Sequence, residues 1–72
     1  LDQERALILT RKIGELNPRQ RMAITLRYFR QMPLKEIADV LQCSEGNVKN
    51  MLFRSVRKLR DSLAGSGLEE WT

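Results

Sequence analysis

The sequence predicts an all-α fold in which four helices form one small body and the last two make a helix-turn-helix. Two observations support it. Apolar residues recur at three- and four-residue steps in every segment, with no alternating strand pattern. Capping residues or prolines stand where the second, third and fourth segments begin. With 72 residues, the chain is long enough for one domain with a thin core.

The first predicted helix covers residues 1–16, and the second runs from Pro18 to about Arg30. In the first, Ala6, Leu9, Ile13 and Leu16 form an apolar stripe. Asn17 is a favourable N-cap for the second helix, Pro18 suits its first position, and Gln20 follows the cap by three residues. Its inward residues are expected to be Ala23, Leu26 and the aromatic Tyr28 or Phe29.

The third and fourth helices are predicted at residues 34–42 and 45–63. Pro33 can open a helix but not lie inside one, and Cys43-Ser44 forms a tight turn in which Ser44 caps the last helix. Cys43 is expected to be a small buried residue, with the three methionines filling gaps. The fourth helix has a longer stripe, formed by Val48, Leu52, Val56, Leu59 and Leu63.

The spacing around this turn is typical of a helix-turn-helix. Ala38 is small enough for the last helix to cross close over it. Ile37 and Leu41 fill the space beneath, and Val48 and Leu52 pack back onto them. The domain is expected to cover residues 1–64, and residues 65–72 to be a flexible tail or a remnant of cloning.

Charge distribution indicates an anionic partner. The net charge is +4, and two segments carry basic residues without acids, one between Asn17 and Lys35 and one between Gly46 and Arg60. In the last helix, the residues left on the outer face are Ser44, Glu45, Asn47, Lys49, Asn50, Phe53, Arg54, Arg57 and Lys58. Such a helix enters the major groove of DNA with its N-terminal part.

The chemistry of this face suits DNA. Asn47, Lys49, Asn50 and Arg54 carry groups that bond base edges or phosphates. Arg57 and Lys58, further along, are expected to meet phosphates. Ser44 and the free N–H groups at the helix start also suit a phosphate.

Three stretches of sequence resemble region 4 of bacterial RNA polymerase sigma factors, most closely the extracytoplasmic-function group. They are Leu16-Asn17-Pro18-Arg19-Gln20-Arg21 with Leu26-Arg27-Tyr28-Phe29, Lys35-Glu36-Ile37-Ala38-Asp39-Val40-Leu41 with Cys43-Ser44-Glu45-Gly46-Asn47-Val48-Lys49, and Leu52-Phe53-Arg54-Ser55-Val56-Arg57-Lys58-Leu59-Arg60. The Ser-Glu-Gly-x-Val-Lys segment is the most specific, whereas response-regulator output domains share Glu-Ile-Ala.

The resemblance implies a role in transcription initiation. Its last helix would bind the −35 element of promoter DNA while the domain docks on the β flap of RNA polymerase, and an anti-sigma factor can cover these surfaces. By position, residues 44, 45, 47, 49, 50, 53 and 54 would face the promoter, while Arg21 and Lys35 would touch flanking backbone. The chain would act as a monomer in the bacterial cytoplasm, as part of a longer protein that supplies the region reading the −10 element.

Three positions depart from the family pattern. Gln42 stands where the turn favours a left-handed glycine, at a cost on the order of 1 kcal/mol. Pro33 replaces a side-chain cap, and Asn47 stands where Thr is frequent, which alters the expected base preference.

Two other functions remain open at this point. An output domain of a response regulator, or another transcription factor, would dimerise through the last helix on a palindromic site. A protein-binding adaptor would engage polymerase or an anti-sigma factor without reading DNA. An enzyme is disfavoured because no nucleophile–base pair is visible. No cofactor, metal or membrane is expected, since the chain has no His, one Cys and no long apolar run.

Overall fold

A computed structural model describes residues 3–63, and within them the chain forms four α-helices and no strand. The helices are α1 (Gln3–Gly14), α2 (Pro18–Ile24), α3 (Leu34–Leu41) and α4 (Glu45–Leu63), and a π-helical turn at Thr25–Phe29 continues α2. Each of α1, α2 and α3 packs against α4. The predicted all-α fold with a C-terminal helix-turn-helix is confirmed. The predicted tail, residues 65–72, lies outside the described residues.

One hydrophobic core joins all four helices. Its buried apolar residues are Leu9, Ile13, Leu16, Ala23, Ile24, Ile37, Ala38, Val48, Leu52, Leu59 and Leu63. Leu26, Leu41 and Val56, also predicted to face inward, are half-buried against it. Ile24 and Ser55 are buried but were not predicted. The Ser55 hydroxyl donates to the Met51 carbonyl at 2.7 Å, so its burial leaves no unsatisfied donor.

The start of α2 follows the capping prediction. The Asn17 Oδ1 atom accepts a hydrogen bond from the Gln20 backbone N–H at 2.9 Å, and Pro18 occupies the first turn. The first helix ends two residues earlier than predicted, at Gly14. Its last turn tightens, and the Leu16 N–H reaches the Ile13 carbonyl at 3.1 Å.

The prediction that Tyr28 or Phe29 lies in the core is wrong. After Ile24 the helix widens into π geometry, in which the Arg30 N–H bonds to the Thr25 carbonyl five residues back at 3.1 Å. The wider turn changes which side of the helix the later residues face, so that they no longer follow the 3.6-residue period of an α-helix. Tyr28 is therefore 50% and Phe29 61% exposed.

The three methionines divide between core and surface. Met32 and Met51 are half-buried and pack against the core, as predicted. Met22 is 45% exposed, so the gap-filling prediction is wrong for it. It precedes Ala23 and Ile24, the two inward positions of α2, and thus lies on the solvent side.

The turn between α3 and α4 has three residues and the hydrogen bonds of a Schellman motif. Gln42 is left-handed, with φ 56° and ψ 50°. The Cys43 N–H bonds to the Ala38 carbonyl at 3.0 Å, and the Gln42 N–H to the Asp39 carbonyl at 3.3 Å. The left-handed conformation expected at Gln42 is confirmed. Cys43 is half-buried rather than fully buried.

Two of the positions that depart from the family pattern, Pro33 and Gln42, flank α3. Pro33 is the N-cap of α3 and supplies no side-chain hydrogen bond, as expected from its lack of a polar group. Gln31, two residues before Pro33, is left-handed like Gln42, with φ 52°. The helix-turn-helix therefore has one strained non-glycine residue before α3 and another after it.

Replacing Gln42 by glycine is expected to stabilise the domain. Glycine adopts the left-handed conformation without the steric cost that glutamine bears there. Glycine also loses more backbone entropy on folding, but this loss is smaller than the steric cost removed. Gln42→Gly should therefore raise the free energy of unfolding by about 0.5–1 kcal/mol. Urea denaturation measures the change. The matched control is Gln42→Ala, which keeps the strained φ and should show no gain. A Gln42→Gly protein no more stable than Gln42→Ala would contradict the strain argument.

Candidate nucleic-acid interface

The nine residues predicted for the outer face of the last helix all lie exposed on α4 or in the turn before it. They are Ser44, Glu45, Asn47, Lys49, Asn50, Phe53, Arg54, Arg57 and Lys58. The opposite side of α4 is buried against the other helices through Val48, Leu52, Ser55, Leu59 and Leu63. The helix therefore presents one continuous polar and cationic face, with Phe53, 68% exposed, among its side chains.

The N-terminus of α4 is open. The Ser44 Oγ atom accepts a hydrogen bond from the Asn47 N–H at 3.1 Å, which confirms the predicted cap. At Gly46, a Cβ atom would meet only the Ser44 Oγ atom, at an ordinary 3.8 Å. Packing inside the described part of the domain does not require glycine there. Its absent side chain instead leaves the first turn accessible to a close-approaching ligand.

The basic side chains of α4 are not neutralised by the domain itself. Within residues 3–63, no ion pair involves Lys49, Arg54, Arg57 or Lys58. The sequence between Gly46 and Arg60 contains no acid, and Glu45 is the single carboxylate on the predicted interface. The face consequently carries a positive potential that attracts anions.

The start of α2 lies beside this face. Asn17 and Gln20 line an open groove together with Asn47, Asn50 and Arg54 of α4. The Gln20 Oε1 atom is buried and makes no hydrogen bond within the described residues. Sequence reasoning treated Asn17 and Gln20 only as capping residues, because no periodicity shows that the start of α2 packs beside the exposed side of α4.

Three arginines of the first acid-free segment have a structural use. Their guanidinium groups donate hydrogen bonds to backbone carbonyl oxygens. Two of these carbonyls end helices, Leu41 bound by Arg19 at 3.1 Å and Gly14 bound by Arg21 at 3.3 Å. The third, Met32, lies in the connection before α3 and is bound by Arg27 at 3.1 Å. Cations bound to such carbonyls offset the negative end of a helix. The charge of this segment therefore does not all belong to a partner surface.

The two predicted flanking residues, Arg21 and Lys35, are exposed but stand apart from the groove between α2 and α4. Arg21 lies in the last turn of α2, and Lys35 in the first turn of α3. The structure thus brings nine of the eleven predicted residues onto one face and leaves these two at other helices.

Residues 3–63 contain no group of three His, Cys, Asp or Glu side chains that could hold a metal ion. None of the helices described is long and apolar enough to cross a membrane.

Comparison with known proteins gives consistent matches. A family model described as sigma-70, region 4 matches residues 6–59. The chain is 36% identical over 66 residues to the RNA polymerase sigma-E factor of Streptomyces coelicolor, covering 92% of this chain and 37% of that protein. It is 36% identical over 53 residues to the ECF RNA polymerase sigma factor SigM of Bacillus subtilis, covering 74% of this chain and 32% of that one. The chain spans about a third of the length of these relatives. No solved structure gives a significant match.

Arg19 is expected to stabilise the helix-turn-helix through its bond to the Leu41 carbonyl. Arg19→Ala should lower the free energy of unfolding by about 0.5–1 kcal/mol, because the last carbonyl of α3 loses a charged donor. Urea denaturation measures the loss. Arg30→Ala is the control, since its side chain is exposed and makes no hydrogen bond within residues 3–63. Equal losses in both variants would contradict the capping role.

Proposed function

Because the chain belongs to the sigma-70 region 4 family, we propose that it binds the −35 element of bacterial promoters and docks on RNA polymerase as the C-terminal domain of a sigma factor. The observation that carries this proposal is the exposed cationic and amide face of α4, set opposite a stripe buried in the core. It lies on the second helix of a helix-turn-helix, which is the helix that such motifs insert into the major groove.

The first half of α4 supplies the base contacts. Asn47 and Asn50 carry amides suited to adenine, and Lys49 and Arg54 carry donors suited to guanine or to phosphate oxygens. Phe53 adds an exposed ring that can contact a thymine methyl group. Arg57 and Lys58, one to two turns further along, bind phosphates and set the position of the helix in the groove.

The start of α4 and the start of α2 bind the DNA backbone. The open first turn at Gly46 allows a phosphate to approach the free backbone N–H groups, and Ser44 lies beside it. Asn17 and Gln20, across the groove from Arg54, extend the contact toward a flanking strand. Arg21 and Lys35 lie outside this groove and would contact phosphates that flank the DNA segment bound there.

The protein contacts of the domain follow from the same family. We infer docking on the β flap of RNA polymerase, and covering of these surfaces by an anti-sigma factor when the protein is held inactive. Both would take place in the bacterial cytoplasm, where polymerase works. The action is one of binding rather than catalysis, and these residues alone should not start transcription without the region that reads the −10 element.

One observation favours a second candidate, a protein-binding adaptor that does not read DNA. Tyr28 and Phe29 are half or more exposed at the π-helical turn, and such aromatic residues are common in protein interfaces. DNA binding distinguishes the two functions, because an adaptor needs no affinity for a promoter element.

The domain should bind a −35 duplex as a monomer and with strong salt dependence. If Arg57 and Lys58 each neutralise a phosphate, the logarithm of the association constant should fall with the logarithm of salt concentration at a slope of about −2, and more steeply if Lys49 or Arg54 also contacts a phosphate. Fluorescence anisotropy with labelled DNA, together with sedimentation, measures both properties. If the domain does not bind the −35 duplex even at low salt, the protein-binding adaptor is the remaining function. If it binds palindromic DNA as a dimer, a response-regulator output domain is favoured.

The positions along α4 should differ in what they contribute. Lys49→Ala and Arg54→Ala should each weaken −35 binding by about 5- to 150-fold and should affect a scrambled duplex much less, because base contacts carry discrimination. Lys58→Ala should weaken both duplexes equally and make the salt slope shallower by about 1. Competition binding with the two duplexes measures these effects. Unchanged discrimination in the first two variants would refute the assignment of the groove-facing residues.

A further inference from the structure

The side-chain carbonyl of Gln20 is buried without a hydrogen-bond partner. Its Oε1 atom accepts no hydrogen bond within residues 3–63, although the backbone N–H of the same residue is bonded to Asn17. A buried acceptor that has lost its water without gaining a donor costs free energy, and folded proteins contain few such atoms. A donor that reaches Gln20 in the DNA-bound domain would remove this cost.

The groove between α2 and α4 brings several donors of α4 to the same place as Gln20. Gln20 lines this groove together with Asn47, Asn50 and Arg54. The three residues of α4 recur at steps of three and four, so they lie on one side of the helix. That side borders the start of α2 and belongs to the exposed face of α4 predicted to meet DNA.

Arg54 is the donor best suited to this acceptor. Its guanidinium has five N–H groups and makes no hydrogen bond or ion pair within the described helices. The other guanidinium in the groove, that of Arg19, already donates to the Leu41 carbonyl at 3.1 Å. A charged donor also forms a stronger hydrogen bond than the neutral amides of Asn47 and Asn50.

Contact with DNA would create the need for such an acceptor. A bidentate contact with guanine uses two N–H groups of a guanidinium and leaves the others without a base to bond. DNA excludes water from these remaining groups, so they need an acceptor from the protein. The Gln20 Oε1 atom and the unused N–H groups of Arg54 are complementary, because each lacks the partner that the other provides.

We propose that Gln20 is a positioning residue for Arg54. Its Oε1 atom accepts a hydrogen bond from the guanidinium in the DNA complex and fixes the plane in which the guanidinium meets a base edge. This role rests on the proposed function, which gives Arg54 a base contact. The amide nitrogen of Gln20 stays available to the flanking strand. Gln20 thus contributes to sequence discrimination without touching a base.

Competition binding with the −35 duplex and a scrambled duplex tests the role of the acceptor. Gln20→Met keeps the length of the side chain but removes the carbonyl, so discrimination between the duplexes should fall about three- to tenfold. Gln20→Glu keeps an acceptor and should preserve discrimination, while its charge weakens binding to both duplexes equally. Unchanged discrimination in Gln20→Met, or an equal loss of discrimination in Gln20→Glu, would overturn the proposal.

A double-mutant cycle identifies the partner of Gln20. In the Arg54→Ala background, Gln20→Met should lower discrimination no further, because the group that it positions is gone. The matched control is the Lys49→Ala background, where Gln20→Met should keep its full effect, since Lys49 does not line this groove. An effect of Gln20→Met that persists without Arg54 would contradict the pairing, as would one that disappears only in an Asn50→Ala background.

Urea denaturation without DNA separates positioning from a structural role. Gln20→Met removes an unpaired acceptor, so its midpoint should equal or exceed that of the unchanged domain. A lower midpoint would assign Gln20 to folding and overturn the positioning role.

The pairing can also be measured independently of the proposed function. Relative to Gln20→Met, Gln20→Glu should have a higher urea midpoint when Arg54 is present than in the Arg54→Ala background, because the carboxylate attracts the guanidinium. Absence of this coupling would overturn the pairing whatever the DNA result. If the coupling is found but the domain does not bind the −35 duplex, the proposed function fails while the pairing of Gln20 with Arg54 stands.

Discussion

The packing of α1, α2 and α3 against one side of α4 determines most of the surface chemistry of this domain. Because an α-helix has 3.6 residues per turn, burial of Val48, Leu52 and Leu59 leaves the intervening positions on the opposite side in water. The same helix that closes the core is thereby forced to present its basic and amide side chains as one face. Ala38 contributes to this arrangement, since its small side chain allows α3 and α4 to approach closely.

Because the core is small and the helices are short, helix ends make up a large share of the structure. Polar side chains form hydrogen bonds with the free backbone groups at several of these ends. Asn17 and Ser44 cap the starts of α2 and α4. Arg19 crosses from α2 to the last carbonyl of α3, next to the left-handed Gln42. The turn between α3 and α4 is thus held by backbone bonds on one side and by an arginine on the other. This use gives the first acid-free segment a structural role away from the exposed face of α4.

The exposed side of α4 borders two grooves of different character. Toward α2 the lining is amide-rich and includes Arg54, whereas toward the π-helical turn it is aromatic and basic. Lys49 and Phe53 belong both to the second groove and to the predicted DNA interface.

Local patterns in the sequence were sufficient for the helices, their caps and the exposed face of α4, because each depends on residues within about one helical turn. The left-handed turn at residue 42 was expected from the family pattern. The facing of Tyr28 and Phe29 was missed, since the π-helical widening after Ile24 accompanies packing of this turn against α3, a separate element of the chain. The bond of Arg19 to the Leu41 carbonyl and the position of Gln20 in the groove beside α4 were missed for the same reason. The residues that they meet lie on other helices, and only the tertiary structure brings such distant residues together.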